Sequence, residues 1–281
     1  MRIGNPERPD WETAEIPVTL PATVDPAAAA FFDIDNTLIH GASMFHWARG
    51  LAAHKYLTRA QILDFVWKQA RFIVVGKEHP EDMRDVTEEA LSLVEGRNQS
   101  ELVQLTREIF NEYMIDRFWP GTVALAQGHM DSGQRVWLVS AAPIELAELI
   151  AEHLGLCGAL GTVSEQVDGV YTGRLVGRPL HGQAKAEAVQ ALAEQQGLDL
   201  RRCSAYSDSA NDIPMLSLVG TPVAVNPDRA LRLHARRNDW TVRDYRTARR
   251  VVKITAPALG ATGLAAGIVI GTLTARHAAR R

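Results

Sequence analysis

Hydrophobic residues in this chain follow two different spacings, and the spacing changes near residue 41 and again near residue 119. The run from Ala27 to Phe32 is apolar throughout, as expected for a strand buried on both faces. From about residue 41 to 119, apolar residues recur every three or four positions with charged residues between them, which predicts amphipathic helices. We therefore expect 41–119 to be an inserted all-helical cap that acts as a lid.

The alternation of strands and helices resumes after residue 120. Further strands are predicted at 135–142, 202–207 and 223–225, and helices at 122–131, from about 143, at 183–195 and at 227–237. The stretch 162–176 alternates and contains Asp168-Gly169, which predicts a hairpin at the sheet edge. Together these elements predict an α/β fold with a doubly wound parallel sheet, formed by 27–40 and 120–245.

Composition agrees with one α/β domain that carries an insertion. The chain has 281 residues and a net charge of -3, which gives no reason to expect nucleic-acid binding, because that calls for a basic surface. Cys157 and Cys203 cannot form a disulfide framework, and their apolar surroundings are typical of reduced thiols in the cytosol. Residues 1–26 hold no apolar run, so we expect a flexible lead-in and no signal peptide.

Two carboxylates, Asp33 and Asp35, directly follow the first predicted strand in the sequence Asp-Ile-Asp-Asn-Thr. Open parallel sheets bind ligands beyond the carboxyl ends of their strands, which is where this pair falls. A divalent cation is the simplest partner for two such carboxylates, although an isolated pair also fits an ordinary turn.

Two further polar residues are placed to meet an anion. Ser140 lies at the end of the second strand, where it meets either a ligand or only the start of the next helix. Lys185 falls in the first turn of a predicted helix, where a cation opposes the helix macrodipole. A phosphate or carboxylate near that helix end would remove the conflict, and a solvated surface lysine is the alternative.

The strand predicted at 202–207 ends in Asp208-Ser209-Ala210-Asn211-Asp212. One such Asp would be an ordinary helix cap. Asp208 and Asp212 together, beside the earlier pair on another strand, predict a site for a hard cation built from oxygen ligands.

These four stretches, in this order, resemble the haloacid dehalogenase superfamily, and within it the branch similar to phosphoserine phosphatase, over about residues 31–245. The resemblance implies a Rossmann-like core with a helical cap. It also implies a Mg²⁺-dependent phosphomonoester hydrolase whose substrate is a small phosphomonoester and whose intermediate is an aspartyl-phosphate.

The resemblance also implies roles for single residues. Asp33 would be the nucleophile and Asp35 the general acid and base. The implied phosphate- and substrate-binding residues are Thr37, which also supports the first loop, Ser140, Lys185 and Asn211. The implied metal-site residues are Asp33, Asp35 through its main-chain carbonyl, Asp208, and Asp212 close behind them.

One position departs from phosphoserine phosphatases. A cap glutamate that binds the amino group of the substrate in those enzymes corresponds to Ala42 in this chain, and the cap arginine that pairs with the serine carboxylate has no clear counterpart. We therefore expect phosphoserine to be a poor substrate. A phosphotransferase of the same fold and a catalytically silent phosphate-binding regulatory protein remain alternatives.

The carboxyl-terminal stretch Ile254 to Ala275 contains no charged residue. About 22 residues would form a helix of roughly 33 Å, long enough for a bilayer core. Basic residues flank the stretch on both sides, with the larger cluster at 243–253, so 246–281 is interpreted as a basic linker and a hydrophobic tail.

Gly263, Gly267 and Gly271 recur at every fourth position of this stretch, a pattern by which membrane helices pack closely. We therefore expect a membrane anchor that keeps the catalytic domain on the inner, cytoplasmic face of the cell membrane, with a homodimer formed through the glycine face. A disordered extension is the alternative.

Overall fold

A computed structural model describes residues 25–56, 91 and 94–246 of the chain. The strands are β1 (Ala29–Phe32), β2 (Arg135–Pro143), β3 (Gly158–Thr162), β4 (Ser164–Val167), β5 (Val170–Leu175), β6 (Ser204–Ser207), β7 (Thr221–Val225) and β8 (Thr241–Arg243). The described α-helices are α1 (Ser43–Ala53), α2 (Gln99–Tyr113), α3 (Pro120–Asp131), α4 (Ile144–Leu154), α5 (Gln183–Gln196), α6 (Ile213–Leu216) and α7 (Arg229–Arg237).

Six strands form one parallel sheet in the order β3-β2-β1-β6-β7-β8. The chain builds one half of the sheet outward from β1 and then returns to β6 on the other side of β1. The strand order therefore reverses between β1 and β6, and ligands bind at such a switch point in open α/β sheets. The predicted doubly wound parallel sheet is confirmed.

The two phenylalanines of β1 lie on opposite faces of the sheet and pack into different layers of the core. Phe31 belongs to the cluster that includes Val189 of α5 and Leu231 of α7. Phe32 faces the other way and stacks on Tyr206, with the ring centroids 4.1 Å apart. Both phenylalanines are fully buried, so β1 is covered on both faces, as its unbroken apolar sequence predicts.

The hairpin predicted at 162–176 forms, but the predicted position at the sheet edge is wrong. β4 and β5 pair with each other in a separate two-stranded antiparallel sheet. Asp168 and Gly169 join them with φ angles of 51° and 75°, the left-handed conformation that a tight hairpin turn requires.

The edge of the main sheet is β3, which the hydrophobic pattern did not predict. A Cβ atom at Gly161 would lie 2.7 Å from the Cα atom of Ile144, so glycine is needed for β3 to pack against the start of α4. β8, at the opposite edge, also went unpredicted.

Parts of the predicted domain organisation lie outside the described residues. These parts are residues 1–24 of the lead-in, 57–90 and 92–93 of the cap, and the uncharged tail. Contacts divide the chain into two units, Met1–Arg243 and Asp244–Arg281. Within the part of the chain that the structure describes, no helix is long and apolar enough to cross a membrane. The cap and lead-in boundaries stay predictions.

Candidate active site

The loop after β1 holds its two aspartates over the end of the sheet. The N–H of Asp33 donates to the Tyr206 carbonyl at 2.9 Å, which continues the pairing of β1 with β6 by one residue. The chain then turns back, because the N–H groups of Leu38 and Ile39 both donate to the Ile34 carbonyl at 2.9 Å. Asp33 is 5% exposed, so its carboxylate needs partners.

Asp33 receives one hydrogen bond at each carboxylate oxygen. Lys185 Nζ donates to Oδ1 at 2.7 Å, and the Thr37 hydroxyl donates to Oδ2 at 3.0 Å. Burial raises the pKa of Asp33 to about 7; Lys185 opposes this shift, and the nearby carboxylates of Asp212 and Asp35 add to it. Thr37 is fully buried and supports Asp33, while its predicted contact with substrate stays a prediction.

Lys185 lies in the first turn of α5 and is only 4% exposed. Its Nζ also donates to Asp212 Oδ2 at 2.8 Å. Burial alone would lower the pKa of Lys185, but the carboxylates of Asp33 and Asp212 raise it above the ordinary value, so the ammonium stays charged. The alternative of a solvated surface lysine is therefore wrong, and the anions at this helix end include two carboxylates of the protein.

Asp212 orients Lys185. Its Oδ2 also accepts a hydrogen bond from the Ser207 hydroxyl at 2.7 Å, and both residues are buried. Ser207 was not among the predicted site residues, although a hydroxyl on the last residue of a strand that precedes an aspartate was a usable signal. Direct metal binding by Asp212 stays a prediction.

Asp208 directly follows β6 and therefore lies beside the loop after β1. Burial raises the pKa of Asp208 to about 8, and the like charges of Asp33, Asp212 and Asp35 add to the shift. Ionising Asp208 is therefore costly in the metal-free protein, first because the group is removed from water and then because Lys185 does not balance all of its acidic neighbours.

The segment Asn226-Pro227-Asp228, between β7 and α7, is hydrogen-bonded to two loops. These are the loop after β1, which carries Asp35, and the loop after β6, which carries Asp208. Asn226 Nδ2 donates to the Asn36 carbonyl at 3.1 Å. The N–H of Asp228 donates to the Asp208 carbonyl at 2.8 Å, and Asp228 Oδ2 accepts from the Ala210 N–H at 2.9 Å. From sequence this region was predicted only as a strand at 223–225 and a helix at 227–237, and nothing in the pattern indicated its connection to the site.

Asp35 is hydrogen-bonded to the start of helix α1. The N–H of Ser43, the first residue of α1, donates to Asp35 Oδ1 at 2.8 Å. Burial raises the pKa of Asp35, and the contacts with Ser43 partly offset the shift. His46, one turn further along α1, is also buried, with Nε2 3.3 Å from the His40 carbonyl. The sequence did not single out Ser43 or His46.

Ser140 and Asn211 lie nearby without joining the cluster directly. Ser140 is buried, and its Oγ accepts from the Ala142 N–H at 3.1 Å. Asn211 Nδ2 lies 3.4 Å from His181 Nε2. Among the described residues, no hydrogen bond joins Ser140 or Asn211 to Asp33 or Lys185, so their contacts with a phosphoryl group stay predictions.

The residues present fit a divalent cation. Four carboxylates, those of Asp33, Asp35, Asp208 and Asp212, share this edge of the sheet with one lysine. Burial, together with the like charges of the neighbouring carboxylates, raises the pKa values of Asp33 and Asp208. Over the ranges that the structure describes, no three acidic, histidine or cysteine side chains are already assembled as ligands. Mg²⁺ needs fewer than three protein side chains, because it is usually bound by one or two carboxylates and keeps several waters.

A profile of the haloacid dehalogenase-like hydrolases matches residues 30–217. The chain belongs to this family. The expected fold and the expected hydrolase of phosphatase type are confirmed by this match and by relatives that are named phosphatases.

Three comparisons place the haloacid dehalogenase-like chain among known proteins. It is 50% identical over 288 residues to phosphoserine phosphatase SerB1 of Mycobacterium tuberculosis, which covers 99% of this chain and 93% of that protein. A crystal structure of a Bordetella pertussis protein of unknown function has a TM-score of 0.69 and 29% identity, covering 79% of this chain and 99% of the other. A substrate-bound phosphoserine phosphatase shares the fold, with a TM-score of 0.55 and 20% identity over 80% of this chain and 97% of the other.

Proposed function

We propose that this hydrolase cleaves small phosphomonoesters through an aspartyl-phosphate on Asp33. The observation that carries the proposal is the pairing of Asp33 with Lys185 and Thr37 at the point where the strand order reverses. An ionised carboxylate fixed at both oxygens beside a buried cation is a preorganised nucleophile.

The reaction has two steps. In the first, a carboxylate oxygen of Asp33 attacks phosphorus, the bond from phosphorus to the ester oxygen breaks, and Asp35 gives its proton to the leaving alcohol. In the second, Asp35 takes a proton from water, the water oxygen attacks phosphorus, and the bond to Asp33 breaks to release inorganic phosphate. A raised pKa suits Asp35 to this exchange, because the group must hold a proton before the first step.

The chain's own residues handle the charge of the phosphoryl group. Lys185 stays charged and lies next to the nucleophile, where it attracts the phosphate dianion that Asp33 would repel. Asp33, Asp208 and the main-chain carbonyl of Asp35 would hold Mg²⁺, which supplies further neutralisation when bound. The cap predicted at 41–119 would close over the site, an arrangement supported by the contact of α1 with Asp35 through Ser43.

Hydrolysis of p-nitrophenyl phosphate tests the proposal. Wild-type protein should turn over with Mg²⁺ and stop with chelator, and Asp33→Asn should be inactive, because an amide does not attack phosphorus. Asp33→Asn that keeps wild-type turnover would refute the mechanism. Asp35→Asn should lose turnover of alkyl esters yet still form a phosphorylated protein with this activated ester.

The substrate within this class is also a proposal. The similarity to an enzyme named phosphoserine phosphatase favours phosphoserine. Ala42 argues against it, because this exposed residue precedes Ser43 of α1 and offers no carboxylate to an ammonium group. We favour phosphomonoesters without an amino group, such as glycerol phosphates and lysophosphatidate.

The tail supports a proposal from sequence alone. The uncharged stretch 254–275 and its basic flanks favour a membrane anchor. Full-length protein should pellet with membranes and resist a high-salt wash, while protein ending at Tyr245 should be released by that wash. Full-length protein that stays in the supernatant would refute the anchor.

A further inference from the structure

The outward side of α7 carries arginines around one exposed leucine. Arg229, Arg236 and Arg237 are exposed, and Leu233 is 50% exposed between them. Residues four, seven and eight positions apart share one side of a helix, so these four side chains form one surface, which we call the α7 face. The opposite side of α7 is buried in the core.

Arginines of the α7 face differ from seven other exposed arginines of the described residues, of which Arg49 and Arg97 lie over the rings of Tyr113 and Tyr56. Each of five others forms an ion pair with an aspartate or glutamate: Arg107, Arg174, Arg178, Arg201 and Arg202. Within the described part of the chain, no ion pair joins Arg229, Arg236 or Arg237 to a carboxylate. In a chain with a net charge of -3, three unpaired guanidinium groups indicate a surface for an anionic partner.

We propose that the α7 face binds the surface of an anionic lipid bilayer. Guanidinium groups pair with lipid phosphates, and an exposed leucine between them can enter the boundary below the headgroups. Nucleic acid would explain the arginines but not Leu233, because bases stack on aromatic side chains, and this surface has none.

The sequence that follows α7 is also rich in basic residues. Arg243, Arg246, Arg249, Arg250 and Lys253 follow in the chain, before the uncharged stretch. Basic clusters of this size next to an apolar segment are typical of contact with anionic lipids. Asp228, which caps the start of α7, is hydrogen-bonded to the loop that carries Asp208. The proposed lipid-binding helix is therefore connected directly to the candidate active site.

Vesicle sedimentation of the full-length protein at low salt tests this surface. The probes are vesicles of phosphatidylcholine alone and of phosphatidylcholine with one third phosphatidylglycerol. The test variant is Arg229→Gln/Arg236→Gln/Arg237→Gln. The matched control is Arg107→Gln/Arg174→Gln/Arg178→Gln, which removes the same charge from paired arginines elsewhere. The tail is intact in all three proteins, and thermal unfolding checks that each is folded.

Wild-type and control proteins should prefer the anionic vesicles. The test variant should bind them on the order of 100-fold more weakly, because each basic residue at a lipid surface contributes about 1 kcal/mol. Equal binding by test variant and wild type would overturn the proposal, as would equal losses in both variants or no preference of the wild type for anionic vesicles. A loss of binding to duplex DNA without a loss on vesicles would also overturn it. No substrate is present, so the result is independent of the proposed phosphatase activity.

Discussion

Asn226 Nδ2 donates a hydrogen bond to the main-chain carbonyl of Asn36, across 190 positions of sequence. Asn36 follows Asp35, and Asn226 follows β7, so this bond ties the loop of the candidate nucleophile to the far half of the sheet. Two residues on, Asp228 bonds to the loop that carries Asp208. One short segment therefore sets the distance between the two loops that would share a metal ion.

We predict that Asp228→Ala weakens Mg²⁺ binding and destabilises the fold. Asp228 caps α7 through a 2.7 Å bond from the Leu231 N–H and also accepts the Ala210 N–H, so its loss should cost about 1–2 kcal/mol of unfolding free energy. Calorimetric titration with Mg²⁺ and urea unfolding measure the two effects. Asp199→Ala is a matched control, because Asp199 caps a short 3₁₀ helix elsewhere. Equal Mg²⁺ affinity in both variants would show that Asp228 only caps a helix.

Lys185→Met should destabilise the protein by about 3–5 kcal/mol at pH 8, because it leaves Asp33 and Asp212 as unpaired buried carboxylates. The loss should shrink near pH 6, where Asp33, whose pKa is raised to about 7, takes up a proton. Adding Asp212→Asn should recover part of the stability by removing one of the two charges. Urea unfolding measures all three proteins, and a double variant no more stable than Lys185→Met would contradict this account.

The residues that converge at the site were predictable from the sequence where each follows a strand. Asp33 and Asp208 end neighbouring parallel strands, and carboxyl ends of parallel strands meet at one edge of a sheet. Lys185 was predictable for another reason, because a cation in the first turn of a helix conflicts with the macrodipole unless an anion lies nearby.

Other parts were not predictable because their cause is tertiary. Asn226 and Asp228 resemble an ordinary loop and helix cap in sequence, and only the strand order brings them against Asn36 and Asp208. β3 has the sequence Gly-Ala-Leu-Gly-Thr, which shows no strand pattern, and close packing against Ile144 explains Gly161. Helical spacing likewise does not tell which turn of α1 meets Asp35.

The metal-free protein should lose stability as pH rises from 7 to 9. The pKa values of Asp33, about 7, and Asp208, about 8, are raised above the value of 3.8 expected in the unfolded chain. The folded state therefore binds more protons than the unfolded state, so the contribution of these groups is complete below the unfolded pKa and is lost as pH rises through 7 and 8. The lowered pKa values of His46 and His129 act below pH 7, outside this range.

Thermal unfolding with chelator and with Mg²⁺ measures this dependence on pH. Mg²⁺ should flatten the decline, because a bound cation keeps the carboxylates ionised at less cost. Asp208→Asn should flatten it without metal, while Asp131→Asn, at the exposed end of α3, should not. A metal-free protein whose stability is constant from pH 7 to 9 would contradict the raised pKa values.

Ala42 gives the last prediction, which concerns substrate choice. Wild-type protein should hydrolyse glycerol phosphate with a higher kcat/KM than phosphoserine, because an ammonium group moved into the site without a partner costs free energy. Ala42→Glu should raise kcat/KM for phosphoserine about tenfold relative to glycerol phosphate, which corresponds to about 1.4 kcal/mol for a partly desolvated pair. Ala42→Gln is the matched control and should raise it little, since it adds similar bulk without charge. Steady-state kinetics of the three proteins on both substrates measures the effect. A wild-type preference for phosphoserine, as the name of the Mycobacterium tuberculosis relative suggests, would show that other residues of the cap recognise the amino group.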